Sequence, residues 1–128
     1  MKIEKVDKVV ITVKDLEQAK RFFGELFETT FMEIGDVKQD ISGVVARPAI
    51  TPFGLELLQR ISPPSETYGI TAFHLKVQNL DAVRNELKQK GYEPVAGANK
   101  RRHKELVYII QGVRIAFVEY QGVRFGLD

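Results

Sequence analysis

An internal repeat constrains the fold more than any other feature of this chain of 128 residues. Residues 9–16 and residues 73–80 share one pattern, in which Val13 matches Val77 and Leu16 matches Leu80 at an offset of 64 positions. A repeat at this spacing indicates two copies of one supersecondary unit rather than a solenoid. We therefore expect one domain spanning 1–128, with a first unit at 1–62 and a second unit at 68–128.

Each repeat begins with the pattern of a strand and continues with the pattern of a helix. Apolar residues alternate along both strands, which gives each strand one apolar face: Val9, Ile11 and Val13, and then Phe73, Leu75 and Val77. Asp15 and Asn79 follow as N-cap residues, and apolar residues continue at helical spacing after them. The pattern is typical of a sheet that a helix covers on one side only.

Further strand-like runs follow each helix. They lie at residues 30–34, 41–46 and 55–60, and at residues 93–96, 105–110 and 113–120. Pro48, Pro52, Pro63 and Pro64 are expected in loops or at sheet edges, and Gln111-Gly112 predicts a tight hairpin turn. Each unit therefore reads β-α-β-β-β, and the fold class is α+β.

The composition excludes several classes of function. The chain has no cysteine, so it has no disulfide, no thiolate metal site and no cysteine nucleophile. Its net charge of +2 depends on one basic segment at residues 100–104, which predicts a solvated loop rather than a nucleic-acid surface. The apolar runs are too short to span a membrane, and the first residues do not resemble a signal peptide. We expect a cytoplasmic protein with neither nucleic acid nor membrane as a partner.

The repeated unit resembles the vicinal oxygen chelate superfamily, which includes glyoxalase I, methylmalonyl-CoA epimerase, extradiol dioxygenases and the bleomycin and fosfomycin resistance proteins. The most specific segments are residues 9–16, 54–58 and 112–120, and residues 22–27 are most similar to the epimerase-like branch. The resemblance implies two units whose curved mixed sheets surround a cavity. It also implies a homodimer, with a small organic molecule or an acyl thioester as the ligand.

The family's enzymes hold one divalent metal with four side chains, and the resemblance places those four positions at Lys8, Glu56, Ala72 and Ala116. Only Glu56 is able to ligate a metal, because a protonated lysine has no lone pair and alanine has no ligand atom. A catalytic site of this type needs at least three protein ligands. The sequence therefore predicts a degraded metal site and no cofactor.

A shifted register offers an alternative metal site formed by Glu56, His74 and Glu119. His74 lies two residues beyond the family position, on the cavity face. Glu119 lies three residues beyond its position, and this odd offset predicts that it faces away from the cavity. This alternative needs two irregularities at once, so a metal-free site is the preferred interpretation.

Four side chains remain as candidates for ligand binding or catalysis. We expect Lys8 to form an ion pair with Glu56, so that the ammonium supplies the charge that the metal supplies elsewhere in the family. His74 is either a general acid or base or a hydrogen-bonded histidine with no chemical role. Arg114 either holds a ligand carboxylate or phosphate or forms a salt bridge at the rim. His103 and the rest of the basic loop are expected at the surface, in contact with solvent. The alternative is that this loop contacts the phosphates of an acyl-CoA.

Four functions are compatible with these residues. The chain is interpreted first as a metal-independent protein that binds a small molecule, like the bleomycin resistance members of the family. The second interpretation is a metal-independent isomerase or lyase of the epimerase or glyoxalase type, with Glu56, Lys8 and His74 as its catalytic residues. The third is a metal-dependent enzyme of that type. The fourth is a structural or regulatory protein whose cavity is filled by its own side chains.

Overall fold

The computed structural model describes residues 1–121, and residues 122–128 of the expected second unit lie outside that range. The elements follow the chain as β1 (Ile3–Thr12), α1 (Leu16–Leu26), β2 (Met32–Glu33), β3 (Val37–Lys38), β4 (Val45–Ile50), β5 (Leu55–Ser62), β6 (Gly69–Val77), α2 (Leu80–Gln89), β7 (Ala96–Asn99), β8 (His103–Ile110) and β9 (Val113–Tyr120). In the described part of the chain, no helix is long and apolar enough to cross a membrane.

The strands form one mixed sheet that curls into a half-barrel. Its order is β2-β4-β5-β1-β6-β9-β8-β7, with β3 beside β4. The first strands of the two repeats, β1 and β6, lie antiparallel at the centre, and each is parallel to the last strand of its own unit. Asp40 bridges to Gly97 in β7, which brings the two ends of the sheet together. The expected α+β architecture around a concave face is confirmed, and the second unit is β-α-β-β-β as expected, whereas the first unit contains β3 as an additional short strand.

The two helices begin in equivalent ways, so the repeat extends to individual hydrogen bonds. The Asp15 side chain accepts from the amide of Gln18, and Asn79 accepts in the same way from Ala82. A second acceptor comes from the last strand of each unit. The Gln59 side chain accepts from Leu16 N at 2.9 Å, and Glu119 accepts from Leu80 N at 2.9 Å. Each unit therefore supplies hydrogen-bond acceptors to backbone amides at the start of its own helix, which have no acceptor within the helix.

The outer face of the sheet packs against the helices and forms two apolar cores. The first contains Leu16, Phe31, Ala49 and Leu57, and the second contains Val77, Leu80, Val83, Leu87, Tyr108 and Phe117. These residues are the ones that the alternating and helical patterns place on a single face. The opposite, concave face carries a small apolar cluster of Ala96, Val107 and Ala116 together with polar side chains.

The strands of the first unit differ most from the expected ones. The expected strand at residues 41–46 is wrong: a loop precedes β4, which runs through Pro48 to Ile50. Proline is tolerated there because the outer side of β4 pairs with β3 at Val45 and Ala46 and with β2 at Ala49 and Ile50, leaving Pro48 between the two. The strand expected at residues 93–96 is also displaced, because β7 occupies Ala96–Asn99.

The last hairpin agrees with the sequence pattern. β9 spans Val113–Tyr120 as expected. The two residues of the turn between β8 and β9, Gln111 and Gly112, have φ angles of 53° and 76°. Two positive φ angles in succession are typical of the tight turn that matches the twist of a hairpin. This turn sets the register of β8 against β9, and with it the side chains that β8 places on the concave face.

Candidate functional site

The concave face carries a group of ionisable side chains that are almost fully buried. Their residues are exposed by only 5% to 8%: Asp7, Lys8, Glu56, His74 and Glu105. The strand register explains the grouping, since Lys8 of β1 lies opposite His74 of β6, and His74 lies beside Ala116 of β9. Buried ionisable groups are unfavourable unless they have partners or a function. We therefore take this group as the candidate site.

Lys8 is held by a closed ring of three hydrogen bonds. Its Nζ donates to Asp7 Oδ2 at 3.0 Å and to the Tyr120 hydroxyl at 2.8 Å, and that hydroxyl donates to Asp7 Oδ2 at 2.6 Å. Burial acts against the charge of Lys8, but Tyr120, Glu56 and Asp7 outweigh it, so the pKa of Lys8 is raised. Burial also raises the pKa of Tyr120, to about 12. The site therefore contains a fixed ammonium group at neutral pH.

The expected ion pair between Lys8 and Glu56 is not formed. Lys8 bonds to Asp7 instead, and no described side chain donates a hydrogen bond to the Glu56 carboxylate. Lys8 still influences Glu56 through space, but burial dominates and raises the pKa of Glu56 from 4.5 to about 7. Asp7, whose side chain is fully enclosed next to an irregularity of the β1–β6 register, takes the place of Glu56. Glu56 is thus a buried carboxyl group that titrates near neutrality.

A second cluster consists of Glu105 between two histidines. His103 Nε2 lies 3.3 Å from Glu105 Oε1, and His74 Nδ1 lies 3.7 Å from the same oxygen. Burial lowers the pKa of His74 to about 4, so its imidazole is neutral at pH 7. Burial opposes the ionisation of Glu105, but the two histidines and Lys8 outweigh it and lower its pKa to about 2. Glu105 is therefore the ionised member of this cluster.

Sequence reasoning missed Asp7, Glu105 and Tyr120. Strand alternation assigns Asp7 to the helix side, but an irregularity of the β1–β6 register between Val6 and Lys8 accompanies its burial beside Lys8. Glu105 and Tyr120 lie on β8 and β9, where counting by two from Ala116 and its β8 partner Val107 places them on the concave face. That alternation was the available signal for both residues.

His103 is not the surface residue that we expected. It belongs to β8 rather than to the basic loop, and its ring lies 5.2 Å from the ring of Tyr120. Because β8 starts at His103, strand alternation places this histidine on the same face as Glu105. The exposed basic segment is therefore limited to residues 100–102 and the less exposed Lys104.

The four positions that the resemblance assigns to a metal do not fit a divalent cation here. Lys8 occupies one position as a hydrogen-bonded ammonium, and Ala72 and Ala116 provide no ligand atom. Glu56 alone carries a suitable oxygen. The alternative set with Glu119 is not assembled, because Glu119 lies on the outer face and accepts from Leu80 N. Among residues 1–121, no group of three or more histidine or acidic side chains has the arrangement of a metal site.

Arg114 occupies the same face at the end of the half-barrel where β9 begins. It is half-buried, and no ion pair or hydrogen bond to its guanidinium occurs in the described structure, so the salt bridge considered for it is not found. Arg60, which lies at the corresponding end of β5, is also half-buried. The concave face therefore carries cations at Lys8, Arg60 and Arg114, the ionised Glu105, the neutral His74 and, at Glu56, a carboxyl group of unusually high pKa.

Comparisons with known proteins agree with this architecture. A family model described as the Glyoxalase/Bleomycin resistance protein/Dioxygenase superfamily matches residues 5–125. A methylmalonyl-CoA epimerase from Mycobacterium tuberculosis is 18% identical over 93% of this chain and 89% of its own, with a TM-score of 0.69. No curated protein matches the chain in sequence.

Two further solved structures have the same fold. A variant epimerase from Streptomyces coelicolor, in complex with 2-nitronate-propionyl-CoA, is 14% identical over 96% of this chain and 99% of its own, with a TM-score of 0.71. A hypothetical protein from Bacillus halodurans C-125 is 16% identical over 94% and 96%, with a TM-score of 0.68. At such identities the likeness concerns the fold.

Proposed function

The chain belongs to the glyoxalase, bleomycin resistance protein and dioxygenase superfamily, and we propose that it binds a small organic molecule on its concave face without a divalent metal. The observation that carries the proposal is the ammonium group of Lys8 at one of the family's metal positions, held by Asp7 and Tyr120. Its charge is fixed in place by neighbouring side chains, as the charge of a bound metal is fixed by its ligands.

The ligand class follows from the charges of the site. A carbonyl or carboxylate oxygen accepts hydrogen bonds from an ammonium group, and charge-assisted bonds of this kind are stronger than neutral ones. Two similar structures are epimerases that hold acyl-CoA compounds: 2-nitronate-propionyl-CoA in one, and methylmalonyl-CoA with NH4+ in another. We propose an acyl thioester as the ligand of this chain, bound by a homodimer as in the family.

Metal analysis and a binding titration test this proposal together. The purified protein is expected to contain far less than one equivalent of zinc, cobalt, nickel or manganese, and to bind propionyl-CoA equally well before and after treatment with a chelator. Lys8→Met should weaken the binding about tenfold, the loss of one charge-assisted hydrogen bond. Stoichiometric metal, or binding that disappears with the chelator, would overturn the proposal.

A second candidate is a metal-independent isomerase or lyase, and the state of Glu56 favours it. A carboxyl group with a pKa of about 7 is suited to accept and return a proton at neutral pH. Glu56 would remove a proton from the carbon beside the thioester carbonyl, and the electron pair would move onto the carbonyl oxygen. The ammonium of Lys8 would stabilise that oxyanion until the proton returns.

Deuterium exchange distinguishes the enzyme from the binding protein. Methylmalonyl-CoA incubated with an enzyme in D2O would gain deuterium at its acidic carbon, and Glu56→Gln would abolish the gain. Glu17→Gln, a change of the same type on the exposed side of α1, provides the matched control. Exchange no faster than without protein would leave binding as the function. Exchange that survives Glu56→Gln would exclude Glu56 as the base.

A further inference from the structure

Within residues 1–121, two arginines at one end of the half-barrel form no ion pair. Arg60 lies on β5 beside Ala46 of β4, and Arg114 lies on β9 beside Ile109 of β8. Counting by two from Glu56 and from Ala116 places both side chains on the concave face. Since β5 and β9 run in opposite directions, Arg60 stands near the end of one strand and Arg114 near the start of the other, at the same end of the sheet.

The surroundings of these arginines do not neutralise them. The Nε of Arg60 is buried and has no hydrogen-bond partner in the described structure. Burial and the charge of Arg60 both lower the pKa of Arg114, and Glu105 only partly offsets them. Glu105 instead lies close to His74 and His103. Buried polar groups without partners are rare, and each calls for an explanation such as an absent ion or ligand.

An open groove lies next to Arg60. It encloses about 330 Å³, and Arg60, Lys14, Ser65 and Tyr68 contribute to its walls. None of its lining residues is acidic, so the groove has a net positive lining. A cleft lined by charges of one sign attracts ligands of the opposite sign. The groove therefore places an anion-attracting surface next to Arg60.

We infer that Arg60 and Arg114 form an anion-binding site for a carboxylate or phosphate group of the ligand. A guanidinium group presents two parallel N–H donors that match such groups. An anion between the arginines would offset the repulsion of their like charges and supply a partner for Arg60 Nε. This inference extends the proposed function, and it depends on that function only for the identity of the whole ligand.

A titration with inorganic phosphate tests the anion site on its own. Phosphate added at constant ionic strength should shift the side-chain Nε–H NMR signals of Arg60 and Arg114. Arg60→Gln and Arg114→Gln should each weaken phosphate binding about tenfold, whereas Arg60→Lys should retain part of it. Arg21→Gln removes the same charge from an exposed position on α1 and should change the affinity less than twofold. Shifts confined to residues 100–102, or equal losses in Arg60→Gln and Arg21→Gln, would overturn the inference.

Two further ligands identify the source of the anion. If the arginines hold a phosphate of coenzyme A, Arg60→Gln should weaken propionyl-CoA about tenfold and leave propionyl-pantetheine unchanged. If the arginines hold an acyl carboxylate, Arg60→Gln should instead weaken the binding of methylmalonyl-pantetheine about tenfold. The protein could bind propionyl-CoA while Arg60→Gln changes the affinity for none of propionyl-CoA, phosphate and methylmalonyl-pantetheine. That result would refute the anion site and leave the proposed function standing. Phosphate binding without thioester binding would refute the proposed function alone.

Discussion

Replacing Lys8 with methionine should destabilise the protein strongly, because it removes the only cation from a closed ring of hydrogen bonds. The side chain of Asp7 is fully enclosed, and it would keep the hydrogen bond from Tyr120 but lose the ammonium at 3.0 Å. Removing one partner of a buried ion pair lowers the free energy of unfolding by about 3 to 5 kcal/mol. Because the hydrogen bond from Tyr120 to Asp7 is retained, we expect a loss at the lower end, about 3 kcal/mol. This corresponds to a fall in Tm of roughly 10 °C.

Urea unfolding followed by far-ultraviolet circular dichroism measures this loss. The control is Lys20→Met, since Lys20 forms ion pairs with Glu17 and Glu33 at the surface and should lose less than about 1 kcal/mol. Combining Lys8→Met with Asp7→Asn should recover part of the lost free energy of unfolding, because the double variant no longer buries the unpaired Asp7 carboxylate. A loss below about 1 kcal/mol for Lys8→Met, or equal losses in both lysine variants, would refute the reasoning.

Three other variants test the remaining features of the fold and site. Glu56 has a folded pKa of about 7 instead of 4.5, so the folded protein retains a proton that the unfolded chain releases, and stability from this group falls as pH rises between about 4.5 and 7. Glu56→Gln should therefore gain up to about 3 kcal/mol relative to the native protein at pH 8 and nothing at pH 4, as measured by urea unfolding at both values. Glu105 has the opposite shift, to about 2, so Glu105→Gln should lose about 3 kcal/mol at pH 7 and the difference should shrink as the pH falls from 4.5 to 2; an unchanged difference in acid titrations would contradict this. Gly97→Ala would place a methyl group 2.8 Å from the backbone oxygen of Glu105, so its Tm in calorimetry should fall by several degrees, reflecting a loss of about 1 to 3 kcal/mol.

The sequence predicts the repeat, both helices and the strands of the second hairpin because these depend on local patterns. Alternation and N-caps are properties of neighbouring residues, and they place Asp15, Asn79 and Val113–Tyr120 correctly. The strand through Pro48 was missed because its tolerance depends on the gap between two short partner strands. No pattern within residues 41–50 contains that information.

The site was predicted in position but not in its connections. Counting along the strands brought Lys8, Glu56 and His74 to one face, where they are buried. The partner of Lys8 was wrong, because a register irregularity next to Asp7 breaks the alternation on which the counting depends. Glu105 joins the site from a strand far along the chain, and the strand order β6-β9-β8 brings it near His74. Such distances follow from tertiary structure rather than from spacing.

The way each unit caps its own helix has a consequence for cutting the chain. Gln59 and Glu119 accept from helices of the same unit, so a cleavage between Ser62 and Gly69 would separate no helix from its cap. The two pieces would be joined mainly by the antiparallel ladder of β1 and β6 and by the Asp40–Gly97 bridge. A ladder of this kind re-forms from two separate chains, as strands add to an exposed sheet edge. The two units of the chain therefore behave as separate fragments that share one sheet, and after cleavage they should reassemble by complementation.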